Sequence, residues 1–167
     1  MDIYLLRHGL AVERGTAGFE DDATRPLTPK GRRQMRKLSA AIKKLALSCD
    51  LILASPFLRA KQTAEIVAAG LKLKKHLKFS NALAPGGSAA VLFRQLARLK
   101  PSPERVLLVG HEPDLSRLIS RLITGGLELQ MDFKKGGLCK LEVIKPHDGK
   151  CAKLVWLLTP KQLRSIG

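Results

Sequence analysis

Apolar residues in this 167-residue chain fall into two rhythms. Short uninterrupted runs at residues 3–6, 51–54 and 106–109 have the length and composition of buried strands. Between them, apolar positions recur at helical spacing. Met35, Leu38, Ile42 and Leu45 give one face of a helix opened by Thr28 as N-cap and Pro29 at the first helical position. A second helix is expected over residues 58–69, stopped by Gly70. A third, capped by Ser88, runs to about residue 99 and is closed by Pro101 and Pro103. A fourth covers 114–123, before Gly125-Gly126. Residues 78–79 suit a short edge strand. Residues 139–144 and 153–158 suit two strands joined by the turn Pro146-His147-Asp148-Gly149. Residues 7–26 form a long polar loop. Strands alternating with helices predict an α/β fold with a mainly parallel sheet, the last pair adding antiparallel strands at one side. With no linker, repeat or low-complexity tract, residues 1–167 are expected to form one domain.

Composition narrows this picture. Hydrophobic residues make up 45% but aromatics only 4%, so the core is aliphatic. No apolar run approaches the ~20 residues of a membrane-spanning helix, and the first residues, Met1-Asp2-Ile3-Tyr4, lack the basic start of a signal peptide. The expected setting is the cytoplasm, away from membranes. Three cysteines without a CxxC pair argue against a disulfide framework or a zinc site. The formal charge of +16 points to anionic partners. Nucleic acid is disfavoured by the shortage of aromatics for base stacking and by the absence of a standard binding motif.

Candidate chemistry sits where the strands end, at the side on which open parallel sheets bind ligands. The first strand runs into Leu6-Arg7-His8-Gly9, the second into Ser55-Pro56-Phe57-Leu58-Arg59, the third into Gly110-His111-Glu112. If these strands are neighbours, Arg7, His8, Arg59 and His111 meet. Two guanidiniums and two imidazoles repel a divalent cation but suit a tetrahedral dianion, which arginine holds with a planar fork of donors. A neutral imidazole is a competent nucleophile toward phosphorus. His8 is the candidate nucleophile, its second ring nitrogen held by a backbone carbonyl. Arg7, Arg59 and a charged His111 are the candidate donors to the equatorial oxygens. Read alone, Arg59 would equally suit a helix start paired with Glu65 or Asp50. Gly9 allows a close backbone approach.

These residues resemble the histidine phosphatase superfamily, the phosphoglycerate mutase-like fold. The resemblance rests on Arg7-His8-Gly9, on the stretch from Ser55 to Ala64 and on Gly110-His111, and it spans nearly the whole chain. The short SixA type of phosphohistidine phosphatase is most similar, from the small size and Arg25-Pro26-Leu27-Thr28 before the first helix. The resemblance implies a three-layer α/β/α sandwich and a cofactor-free, metal-independent phosphatase that carries the phosphoryl group on His8. It gives Arg7, Arg59 and His111 the role of binding that group, and brings Arg25 toward the same pocket. Many members place a glutamate after the third strand as general acid. Here the comparable stretch, Asn81-Ala82-Leu83-Ala84-Pro85, has no acid. Glu112 is a substitute proton donor, its alternative role being a helix-start acid, and Glu13 is a weaker candidate. Histidine leaves phosphorus more easily than an alkoxide does, so the missing acid favours a phosphohistidine substrate on an acidic signalling domain. The expected enzyme is a monomer acting on a phosphorylated protein. Two alternatives stay open: a phosphatase of small phosphomonoesters or polyphosphorylated metabolites, and a non-catalytic anion or nucleic-acid binding module.

Overall fold

The computed structural model describes residues 1–166. Six strands form one sheet: β1 (Asp2–Arg7), β2 (Leu51–Ala54), β3 (Leu77–Phe79), β4 (Arg105–Gly110), β5 (Leu138–Val143) and β6 (Ala152–Leu158). Their order is β3-β2-β4-β1-β5-β6. The first four run parallel; β5 is antiparallel to β1, and β6 to β5. Alternation along each strand splits the core in two. Tyr4, Leu6, Ile52, Ala54, Leu107 and Val109 face α1 (Pro29–Lys44), α2 (Leu58–Gly70) and α5 (Pro160–Ile166). Ile3, Leu5, Leu51, Leu53, Val106 and Leu108 face α3 (Ala89–Ala97) and α4 (Asp114–Thr124). The result is the three-layer α/β/α sandwich with a mainly parallel sheet.

The expected elements form within a few residues of their sequence-derived limits. Thr28 accepts from the Gly31 N–H and Ser88 from the Val91 N–H, as the caps of α1 and α3. Gly125, at φ 92°, ends α4 in the left-handed conformation that glycine adopts without strain. Additional features are α5 and three 3₁₀ turns, Asp22–Thr24 inside the long first loop, Lys74–His76 and Asn81–Leu83.

Chain crossings position the site. β1 and β2 both lead into helices on the α1/α2 face, whereas β4, between them, leads into α4 on the opposite face. That divergence opens a crevice at the carboxyl ends of these three strands. The register makes the ends level. Leu6 and Ala54 each pair with Val109, and Arg7 pairs with Gly110. Beyond the ladder, the His8 N–H donates to the Gly110 carbonyl at 3.1 Å and the Ser55 N–H to the Val109 carbonyl at 2.9 Å. Three polar strand exits therefore begin side by side.

Candidate active site

His8, Arg59 and His111 are buried together at this level. The two imidazole centroids lie 5.1 Å apart. The Arg59 Nε–H donates to His8 Nε2 at 3.3 Å. His8 Nδ1 lies 2.7 Å from the Gly9 carbonyl oxygen, the backbone acceptor that the sequence required but did not identify. A carbonyl only accepts, so Nδ1 carries the hydrogen and Nε2 the lone pair. Arg59 donating to Nε2 fixes the same tautomer independently. Burial is the main cause that pushes the His8 pKa down to about 3, with His111, Arg59 and Arg7 adding repulsion against a partial offset from Gly9. His8 is thus a neutral imidazole at pH 7 with its lone pair on Nε2.

His111 differs from the sequence-derived expectation of a charged donor. Burial and the charges of Arg59, Arg25 and Arg7, partly countered by Asp22, lower its pKa to about 3. In the free protein the ring is neutral. Its Nε2 is 2.8 Å from the Ser55 hydroxyl, which itself accepts from the Phe57 N–H at 3.2 Å, and the Phe57 ring packs edge-on at 5.5 Å.

Arg7 is half-buried and donates from Nη1 to the Phe133 carbonyl at 2.7 Å. Its Nε and His111 Nδ1 are buried without a hydrogen-bond partner. An unmet buried polar atom costs about 1–3 kcal/mol.

Asp22 is the residue that sequence reasoning missed. Its Oδ2 accepts from Arg59 Nη2 at 2.9 Å and its backbone carbonyl from Arg59 Nη1 at 2.6 Å. Its Oδ1 accepts from Arg25 Nε at 2.9 Å and Nη2 at 2.6 Å. Desolvation pushes this carboxyl up, but the hydrogen bonds and charges of Arg25 and Arg59 outweigh it and hold the pKa at about 2. Arg59 therefore pairs with neither Glu65 nor Asp50; Asp50 instead pairs with Arg105 at 2.9 Å. Arg25 does approach the cluster, and each of its guanidinium nitrogens is bonded within the loop, Nη1 reaching the Val12 carbonyl at 2.6 Å. It braces the loop and the carboxylate that orients Arg59. The spacing Asp22-Ala23-Thr24-Arg25, an acid and a base three apart, was the available signal.

The supporting residues explain the Ser55–Ala64 stretch. Thr63 accepts from the Gly9 N–H at 3.1 Å and donates to the Arg59 carbonyl at 2.7 Å. Gln62 accepts from the Leu27 N–H at 2.8 Å. Consecutive residues of α2 thus pin both ends of the first loop. Gly9 owes its identity to the protein's own core: a Cβ there would lie 2.9 Å from Met35 Cγ and 3.3 Å from Leu27.

Glu112 turns its carboxylate onto Ser116, at 3.1 Å from the N–H and 2.6 Å from the hydroxyl, and so caps the start of α4. Glu13 is exposed. Among the described residues no group of three or more His, Cys, Asp or Glu is arranged to hold a metal ion, and no helix is long and apolar enough to cross a membrane.

Comparison with known proteins agrees with this geometry. The family model of the Histidine phosphatase superfamily (branch 1) matches residues 3–82. An uncharacterized protein of Picosynechococcus sp. is 37% identical over 168 residues, covering 98% of this chain and 99% of its own. The phosphohistidine phosphatase SixA of Escherichia coli is 30% identical over 126 residues, 75% of this chain and 76% of its own. The solved structure of the protein histidine phosphatase SixA complexed with tungstate superposes with a TM-score of 0.82 at 26% identity, covering 98% of this chain and 99% of that one. By its strand-end cluster and by similarity along its whole length, the chain belongs to the histidine phosphatase superfamily and is a hydrolase of the phosphatase class.

Proposed function

We propose that the protein removes phosphoryl groups from protein phosphohistidine, by way of a covalent intermediate on His8 and without a metal ion. The single observation that carries this reading is the His8 ring, buried, neutral and held with its Nε2 lone pair facing Arg59. Nε2 attacks the phosphorus of the substrate phosphohistidine in line with the P–N bond. As that bond breaks, the substrate ring, protonated on its other nitrogen, leaves as neutral imidazole and needs no proton from the enzyme. Phosphorylated His8 is an imidazolium whose Nδ1–H donates to the Gly9 carbonyl. Water then attacks the phosphorus, Nε2 recovers its electron pair, a water proton passes to solvent and orthophosphate departs.

Charge in the cluster fits the reacting group. Three arginines, Arg7, Arg25 and Arg59, stand against the one carboxylate of Asp22 inside the cluster, a positive excess that suits an anion. Arg7, Arg59 and His111 are its donors, and each is expected to contribute about 10²–10³ in rate. His111 gains its proton as the anion arrives, because a dianion beside it opposes both the burial and the repulsion that keep it neutral. The dependence on substrate follows from the lack of a protonated acid at the cluster, Asp22 being held ionised by Arg25 and Arg59. An ester needs its leaving alkoxide protonated, help usually worth about 10²–10⁴, and Glu112 is committed to Ser116.

The test compares wild type with His8→Ala, in the presence of a chelator, on a histidine-phosphorylated protein domain and on a panel of phosphomonoesters. The expected result is chelator-resistant turnover of the phosphodomain, well above that of any ester, abolished by His8→Ala. Turnover of esters alone would move the assignment to small phosphorylated metabolites. Activity that survives His8→Ala would remove the mechanism.

A further inference from the structure

Two clefts flank the cluster, and their charges differ. The cleft on the α4 side, about 350 Å³, contains His111 and four charged side chains. Those four neutralise one another: Arg117 lies 3.9 Å from Asp114, and Arg121 pairs with Asp148. The groove on the α1/α5 side, about 760 Å³, opens at Arg7. It is lined by Lys30, Lys134, Lys135, Lys161 and Arg164, with Asp132 as its single carboxylate. Asp132 pairs with Lys134. Lys30, Lys135, Lys161 and Arg164 are exposed and have no ion-pair partner among the described residues.

The backbone that carries these cations is anchored beside the strand exit of His8. The Gly136 N–H donates to the carbonyls of Arg7 at 3.0 Å and His8 at 3.2 Å, and the Arg7 N–H donates to the Gly137 carbonyl at 3.2 Å. The loop bearing Lys134 and Lys135 is thus stitched to the catalytic strand exit. Gly31 packs α1 so tightly on the Leu10 carbonyl that a Cβ would sit 2.0 Å from its oxygen, which sets Lys30 beside the same exit. Lys161 and Arg164, three apart on α5, share one helix face.

We propose that this groove is the docking surface for the acidic face of the phosphorylated protein, with Lys30, Lys135, Lys161 and Arg164 as its unneutralised contacts. The assignment rests on the reading of the substrate as a protein phosphohistidine. Charge complementarity selects the occupant. Four uncompensated cations spread over three elements match a broad acidic protein surface, and Arg7 joins that surface to the reacting phosphoryl group. Nucleic acid fits less well, because the groove has no aromatic side chain on which a base could stack. Steering by such a surface speeds association and fades as salt screens it.

The test is the quadruple variant Lys30→Glu, Lys135→Glu, Lys161→Glu, Arg164→Glu, with the four-glutamine version as a second variant that avoids reversing the charge. Both are assayed on a phosphotransfer domain of net negative charge, phosphorylated on histidine, and on phosphoramidate as a small donor. The glutamate variant is expected to lose about 10–100-fold in kcat/KM on the domain, through KM, with the glutamine variant intermediate. Raising the salt should lower wild-type turnover of the domain and leave the glutamine variant nearly flat. Turnover of phosphoramidate should change less than threefold. Wild-type levels of domain turnover in both variants overturn the docking surface and leave the proposed function standing. A wild type inactive on the domain but active on phosphomonoesters overturns the proposed function and the docking surface together. Unchanged domain kinetics with lost binding of single-stranded RNA would give the groove to nucleic acid instead.

Discussion

On the Arg59 side of the anion cradle every guanidinium nitrogen has a partner, Nε on His8 and both Nη atoms on Asp22. On the other side, Arg7 Nε and His111 Nδ1 have none. On the proposed function, an incoming phosphoryl group meets an Arg59 held by Asp22 and His8, with one N–H left on each Nη. At Arg7 and His111, on the same reading, it would relieve desolvation already incurred. The proposal thus separates two tasks: the Asp22-wired side would set geometry, and the side with unmet nitrogens would supply affinity.

The largest effects test that division directly. Arg59→Ala is expected to lower kcat about 10²–10³-fold with little change in orthophosphate inhibition. His111→Ala is expected to lower kcat by a similar factor and to weaken orthophosphate about tenfold besides. Steady-state kinetics with product inhibition reads both, and identical patterns in the two variants would break the comparison.

Stability against pH is the next effect. His8 and His111 titrate at about 3 in the folded protein, against about 6.5 in an unfolded chain. The unfolded chain binds more protons between those values, so nothing is lost above pH 6.5 and stability declines as pH falls toward 3. At pH 4.5 the loss is roughly 3 kcal/mol for each ring. Urea unfolding at pH 7 and pH 4.5 measures it, and His111→Gln should recover about half. An equal loss in wild type and variant would place the acid sensitivity elsewhere.

Smaller effects sharpen the picture. Asp22→Asn sets an amide donor or a weaker acceptor against Arg59, and is expected to reduce kcat about tenfold while orthophosphate binds no more weakly. Restoration of most of that activity by Asp22→Glu would support orientation through the carboxylate. Glu112→Gln is expected to alter phosphohistidine turnover less than threefold. A much larger loss, above all on esters, would restore Glu112 as a proton donor.

Much of this site was legible in the sequence because it rests on strand ends. The runs at 3–6, 51–54 and 106–109 each lead into a functional residue, and the sheet order β2-β4-β1 makes them neighbours. Asp22 was not legible, because it reaches Arg59 across a polar loop whose path is set by long-range bonds to Gln62 and Thr63. Periodicity carries no information about such a loop. The helix α5 was missed for a different reason. Its signal was present in Thr159-Pro160-Lys161-Gln162, a capping box in which the Gln162 side chain accepts from the Thr159 N–H at 2.8 Å and Thr159 Oγ1 from the Gln162 N–H at 3.3 Å. The helix is only seven residues long, too short for an apolar rhythm to show. The sequence allows Glu112 two roles, and in the structure its carboxylate is bonded to Ser116 at the helix start.

The most direct test of His8 as the nucleophile is a rapid quench into alkali during turnover of a ³²P-labelled phosphodomain, followed by ³¹P NMR and peptide mapping. Acid-labile, alkali-stable phosphate on Nε2 of His8, formed and lost at rates that account for kcat and absent from His8→Ala, is the predicted result. Label on Nδ1, on another residue, or nowhere in an actively turning-over enzyme would contradict it.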